Sequence, residues 1–403
     1  PGTGKTSLAK KGIANCLKDE DGSPRPFAFI ALGGSTHGAT LEGHSYTYVG
    51  STWGEIANVL METQCMNPII FIDELDKVSQ TEHGKEIIGI LTHLTDSSQN
   101  TEFCDKYFGV KLDLSKCLFI FSYNDASKID PILADRIHKI HFKPLSVSDK
   151  LIITQDYILP ELIEKIGFNP NQITYDEDII ENLILNYTHE AGVRKLKKVL
   201  TEILREVNLN YLQNSSKHIE QIDITNNLVE SILPNNSKIS HKKINIKPQI
   251  GTVNGMFATS LGLGGLTIIQ TCFTPSENKL SLQLTGQQGD VMQESMKVAK
   301  TLCLRIVPRQ LIKELFKKME DEGNIGIHIH CPEGATQKDG PSAGMAITIV
   351  LISLLTKLPV PNTIAMTGEI DMMGNILPIG GLDIKITGAK LAGVKTVICP
   401  SEN

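Results

Sequence analysis

"GPSAGMA" at residues 340–346 and "GGLDIK" at residues 380–385 decide how the C-terminal half of this chain is read. Ser342 follows Gly340-Pro341 and precedes an apolar run, Ala346 to Leu358, that predicts a buried helix. A serine hydroxyl is a weak nucleophile until a base takes its proton. Neither a Ser-His-Asp pattern nor a G-x-S-x-G elbow surrounds Ser342. Lys385 can act as the base if burial populates its neutral amine near neutral pH. Its neighbours Leu377, Ile379, Leu382, Ile384 and Ile386 are expected to supply the apolar surroundings.

The opposite end carries a second chemistry. "PGTGKTS" at residues 1–7 is a P-loop lacking the first two residues of G-x-x-x-x-G-K-[ST]. In such a loop, Pro1-Gly2-Thr3-Gly4 here, the glycines let backbone N–H groups wrap phosphates, Lys5 would reach the β- and γ-phosphates, and Thr6 would hold Mg2+. "NPIIFIDELDK" at residues 67–77 is an apolar strand ending in two acids. Asp73 would bind the Mg2+ and Glu74 would polarise the attacking water. Asn124, Arg136 and Arg194 follow in the order expected of an ATPase working as a ring. Asn124 would orient water, Arg136 would reach a neighbour's γ-phosphate, and Arg194 would sense nucleotide. Each of the three, taken singly, reads as an ordinary turn or surface residue; their order gives them weight.

Between these ends, residues 1–147 alternate strand-like runs ("FAFIAL", "IIFID", "CLFIFS") with amphipathic segments, predicting an α/β domain with a parallel sheet. Residues 148–233 turn helical, predicting a small all-helical domain, and the polar stretch 234–248 reads as a linker. Residues 249–403 mix strands and helices as a second, α+β domain. A length of 403 residues suits two or three such domains. The net charge of −6 argues against broad nucleic-acid or anionic-membrane binding. Eight scattered cysteines without a C-x-x-C fit thiols in a reducing compartment. The longest apolar run, 345–355, is too short to span a membrane. Because the chain starts inside the P-loop and stops just after a strand, both ends are expected to be truncated.

With these motifs together, the chain resembles the Lon family of ATP-dependent proteases over nearly its whole length. The segments that carry the likeness are "PGTGKTSLAK", "EGHSYTYVG", "NPIIFIDELDK", "DLSKCLFIFSYN", "ILADRI", "EAGVRKL", "GDVMQESMK", "CPEGATQKDGPSAGMA", "AMTGEI" and "LPIGGLDIK". The resemblance implies an AAA+ P-loop module, a helical lid and an α+β Lon-type protease domain with a Ser342–Lys385 dyad. It further implies that Thr367 helps place Lys385, that Asn124 and Arg194 are the two sensors, and that Arg136 is the arginine finger. Tyr48 and Val49 match the loop that grips substrate in the pore of a homo-hexamer, where an aromatic can push on any extended chain. ATP with Mg2+, and unfolded or damaged protein substrates, are the implied ligands. The implied compartment is the cytoplasm, or an organelle matrix such as the mitochondrial one if a targeting peptide preceded the chain. The competing expectation is a remodelling or nucleic-acid-binding AAA+ ATPase with a vestigial protease domain.

Two departures from the family pattern stand out. Ser45 and Tyr46 occupy positions that are commonly basic, and Asp383 replaces a basic residue two before Lys385, where it is a possible source of a raised lysine pKa. Elsewhere, His328 and His330 share one face of a strand opposite Cys331; without a third ligand they read as structural, or as shaping the cleft. Asp339 is expected to cap the Ser342 helix, whose first amides would serve as an oxyanion hole.

Overall fold

The structure, a computed structural model, describes residues 2–18, 22–33, 37–78, 82–188, 190–213, 221–234, 238–239, 241–259, 262–332 and 339–403. Pro1 of the P-loop therefore lies outside the described residues. The chain divides into two compact units, Pro1–Lys143 and Pro144–Asn403.

In the first unit, three parallel strands stand in the order Phe27–Ala31, Ile69–Asp73, Leu118–Phe121. The central one is a continuous apolar run because both of its faces are covered: Ile69 to Ile72 are all buried. Its register pairs Asp73 with Ala31 and Ile72 with Phe121. Asp73 and the Ser122–Asn124 segment thus emerge at the same, C-terminal edge, where open parallel sheets place ligands. Leu32, Ile56, Leu91, Leu114 and Leu133 fill the core beneath.

In the second unit, the helices Val147–Ile153, Leu159–Ile166, Glu177–Tyr187, Arg194–Gln213 and Asn226–Ile232 pack around Leu162, Ile180, Leu183, Leu200, Leu204 and Val229. Ser146 and Asp149 form a capping box at the first of them. The turns widen over Thr154–Ile158 immediately before Pro160, which cannot donate to the helical ladder. Patterning did not reveal one addition, a short parallel pair joining Ile173–Tyr175 to Ile222–Ile224. Its strands are only three residues each and lie far apart in sequence, so neither carries a periodic signal.

The remainder of this unit is a six-stranded mixed sheet in the order Leu282–Thr285, Ile325–His330, Gly264–Pro275, Thr252–Ala258, Ile364–Met366, Thr396–Ile398. The apolar helix Gly344–Thr356 packs between this sheet and helix Asp290–Ile306, with Ala346, Ile347, Val350 and Leu351 fully buried. Helix Leu382–Leu391 lies on strand Gly264–Pro275 at backbone contact. A Cβ on Gly264 would sit 1.9 Å from the Ile384 carbonyl oxygen, and one on Gly388 would sit 2.1 Å from the Gly264 carbonyl carbon. These two glycines therefore set how deeply the Lys385 helix is seated.

Candidate active sites

Ser342 lies in a short 3-10 turn, Pro341–Ala343, that leads into helix Gly344–Thr356. Its carbonyl accepts two hydrogen bonds from the strand end opposite, one from the Gly368 amide at 2.8 Å and one from Thr367 Oγ1 at 3.1 Å. Met345 N–H returns the link to the Gly368 carbonyl at 3.0 Å. Lys385 stands in the first turn of Leu382–Leu391 and is only 4% exposed. Its Nζ donates to the same Thr367 hydroxyl at 3.1 Å. Thr367, itself fully buried, thus bridges the serine backbone and the lysine amine. Among the described residues, no hydrogen bond joins Ser342 and Lys385 directly.

Burial holds the Lys385 pKa below its ordinary value of 10.5. The partial positive charge of the helix N-terminus acts in the same direction. The expected source of that burial is wrong in part, because Leu377 and Ile386 are exposed. Adjacent residues on a helix point to different faces; Lys385 shares the inward face with Gly388 and Ala389, three and four residues on. Asp383 is likewise solvent-facing and does not oppose the lowered pKa.

Two accessory expectations change in the structure, and the structural reading of the two histidines holds. Asp339 caps a different helix, Asp290–Ile306, by accepting from Met292 N–H at 3.2 Å while also accepting from Gly340 N–H at 2.9 Å. The Gly344 and Met345 amides already donate to Pro341 and Gly368 carbonyls, so those two do not supply an oxyanion hole. His328 Nε2 and His330 Nδ1 both bond Thr285 Oγ1, at 2.9 and 2.7 Å, which occupies them structurally. No cluster of metal-ligating side chains occurs among the described residues.

In the first unit the P-loop turns through left-handed glycines, Gly2 and Gly4, into a helical run starting at Lys5. Lys5 Nζ donates to the Tyr123 carbonyl at 2.6 Å and to Asn124 Oδ1 at 3.0 Å, so Lys5 and Asn124 are brought together. Asp73 Oδ1 accepts from Glu74 N–H at 2.9 Å. Glu74 sits in a left-handed backbone conformation, φ 59°, uncommon for a non-glycine residue and frequent at functional positions. Its carboxylate is paired with Lys77. The exposed Thr6 hydroxyl and the Asp73 carboxylate are hard oxygen donors that suit Mg2+. Two such ligands make a site completed by nucleotide phosphates and water rather than a closed protein cage.

Arg136, at the C-terminal end of helix Pro131–Arg136, is paired with Asp96, which sequence reasoning did not single out. Hydrogen bonds from Ser98 first, and Arg136 after them, hold the Asp96 carboxyl down to about 2. Tyr48 is largely and Val49 fully exposed, on a loop whose stem is closed by His44 N–H to the Thr52 carbonyl at 3.0 Å. Arg194 is exposed at the start of helix Arg194–Gln213 in the other unit.

Comparison with known proteins accounts for almost all of this architecture. Residues 1–145 match the ATPase family associated with various cellular activities. Residues 164–219 match the Lon protease AAA+ ATPase lid domain, and residues 223–403 match the Lon protease C-terminal proteolytic domain. The chain belongs to the Lon protease family. Over all of its length it is 38% identical to a Lon protease of Clostridioides difficile and 37% identical to one of Campylobacter concisus. It is 35% identical to a Lon protease homolog of Acanthamoeba polyphaga mimivirus. It spans 49%, 50% and 44% of those three proteins respectively, about half their length. The Lon motifs fall on two separate constellations, Ser342–Thr367–Lys385 in one unit and Lys5–Asp73–Glu74–Asn124 in the other. No helix among the described residues is long and apolar enough to cross a membrane.

Proposed function

We propose that this chain carries the motor and protease portions of an ATP-dependent serine endopeptidase that unfolds misfolded or regulatory proteins and degrades them. The observation that carries this reading is the buried Lys385 amine tied through Thr367 to the Ser342 turn. A lysine whose pKa is lowered by burial is a competent general base. Ser342 Oγ closes on Lys385 Nζ when substrate is bound and gives up its proton. The oxygen attacks the scissile carbonyl, and the amine product leaves with that proton as the acyl-enzyme forms. Water, deprotonated by the same lysine, then releases the acyl product.

In the motor, Pro1, Gly2, Thr3, Gly4 and Lys5 cradle the phosphates of ATP, with Thr6 and Asp73 holding Mg2+. The cation supplies charge neutralisation on the phosphates when bound. Glu74 polarises the attacking water, Asn124 orients it, Arg136 reaches a neighbouring subunit's γ-phosphate and Arg194 senses nucleotide. A homo-hexamer is the assembly the family resemblance implies; Arg136 would act between its subunits, and the exposed Tyr48–Val49 tip would grip an unfolded chain in its pore. Thiols at Cys16, Cys65, Cys104, Cys117, Cys272, Cys303 and Cys399 support a reducing compartment, the cytoplasm or an organelle matrix. A motor with a vestigial protease domain is disfavoured, because Ser342, Thr367 and the buried Lys385 are kept together in one hydrogen-bonded arrangement.

The test is Ser342→Ala in the full-length protein. Cleavage of both casein and a short peptide is expected to disappear while ATP hydrolysis continues. Retained cleavage would remove Ser342 from the chemistry.

A further inference from the structure

Asp105 is fully buried, 0% exposed, and no ion pair neutralises it among the described residues. Its carboxylate instead accepts three backbone N–H groups. Oδ1 takes those of Tyr107 at 2.9 Å and Phe108 at 3.1 Å, an Asx turn within its own segment. Oδ2 takes that of Gly54 at 2.8 Å, from a segment 51 residues earlier. The ammonium of the adjacent Lys106 turns away to Glu42 at 2.7 Å. A buried carboxylate with such donors is strongly held, and losing one of them is costly.

Gly54 is the last residue of the stem that supports the exposed Tyr48–Val49 tip, and it begins helix Glu55–Thr63. It is also packed at backbone contact, since a Cβ there would lie 2.1 Å from the Leu41 carbonyl oxygen. Next to it, Trp53 stacks on Phe108 with ring centroids 5.9 Å apart and meets Tyr107 edge-on at 6.0 Å. Asp105 therefore fastens one strand of the loop stem to a turn in the body of the module. The aromatic stack covers that fastening from outside.

We infer that Asp105 is the positioning residue of the Tyr48 loop, anchoring its stem so that a load on the tip is borne by the body of the ATPase module. The inference rests on the reading of Tyr48 and Val49 as a substrate grip. A loop carrying force needs a stem that does not yield. Hydrogen bonds onto one buried charge from its own turn and from a segment 51 residues away supply that stiffness more firmly than contacts within the loop.

Asp105→Asn tests this selectively. The amide oxygen can keep the Tyr107 and Phe108 bonds, which places the NH2 group against Gly54 N–H, donor facing donor. In the full-length protein, four quantities are compared for Asp105→Asn, Tyr48→Ala and the double variant. These are basal ATPase rate, cleavage of a short fluorogenic peptide, degradation of casein, and Trp53 fluorescence identified by its loss in Trp53→Phe. Asp105→Asn should degrade casein about ten-fold more slowly, the effect of one lost charge-assisted bond. Peptide cleavage and ATPase should stay near wild type, and Trp53 emission should shift to the red. The double variant should be no slower than Tyr48→Ala. Wild-type casein degradation by Asp105→Asn beside a failing Tyr48→Ala would overturn the anchoring role alone. Parallel loss of peptide cleavage and ATPase would reduce Asp105 to a general stability residue and overturn it too. A fully active Tyr48→Ala would sink the grip itself, and the anchor with it. Should Asp105→Asn not fold, Trp53→Ala loosens the same stem at a half-exposed site and must give the same separation of casein from peptide cleavage.

Discussion

Thr367→Val removes one hydroxyl and little volume, and it separates two things a lysine base needs, a low pKa and a fixed position. The hydroxyl makes two bonds of 3.1 Å, one received from Lys385 Nζ and one given to the Ser342 carbonyl. Each is worth roughly 1 kcal/mol net, and a buried amine left without a partner costs about 1–3 kcal/mol more. Counting only the loss at the amine, about 1–3 kcal/mol, and about 1.4 kcal/mol per factor of ten, the peptide-cleavage plateau should fall roughly five- to a hundred-and-fifty-fold. The pH dependence moves the other way. The Thr367 oxygen stabilises the ammonium more than the amine, so its loss lowers the Lys385 pKa further below 10.5. The rising limb of activity, which follows the neutral amine, should therefore shift to lower pH while the plateau drops. Stability follows the same linkage. The folded pKa lies below the unfolded one, so between the two values the unfolded chain binds more protons and stability increases with pH. Thr367→Val extends that window downward. The assay is kcat/KM for a short fluorogenic peptide across pH, with ATPase activity measured in parallel. An unchanged plateau, or a limb displaced to higher pH, would refute the bridging role.

Two other substitutions probe the geometry elsewhere. Glu74→Gln should leave nucleotide binding intact, measured by a fluorescent nucleotide analogue, and abolish hydrolysis; normal turnover would exclude Glu74 from water activation. Gly264→Ala puts a methyl 1.9 Å from the Ile384 carbonyl oxygen, so the Lys385 helix must lift from its strand. Overpacking of this kind costs about 1–3 kcal/mol. Peptide cleavage should drop at least about ten-fold with ATPase activity retained, and wild-type cleavage would show that the helix seating is irrelevant.

Much of the fold was legible because it rests on local signals. The run Ile69–Ile72 reads as an apolar strand and Gly2-Thr3-Gly4-Lys5 as a turn opening a helix, and both form as read. Ser342 and Lys385 were legible as reactive types in unusual glycine-bracketed settings. Illegible were the features made by residues distant in sequence. Asp339 sits three residues before Ser342 yet caps Asp290–Ile306, since a short carboxylate bonds whichever unsatisfied amide the fold brings near. The apolar neighbours of Lys385 in sequence suggested its burial, but Leu377 and Ile386 face solvent and the real cover is a strand more than a hundred residues earlier. Asp105 and Asp96 gave no sign of their roles for the same reason, as their partners lie 51 and 40 positions away.

Residue identity and spacing were enough to propose a chemistry: a phosphate-binding turn, an acidic strand end, and a serine with a lysine in place of a histidine. How far the pKa of that lysine is held below its ordinary value is a matter of packing. Desolvation depends on how closely Gly264 and Gly388 let two backbones approach, and a hydrogen bond through Thr367 depends on three chain segments meeting. Those quantities exist only once the chain has closed on itself, because packing contacts and hydrogen bonds act over a few ångströms while sequence separation carries no distance at all.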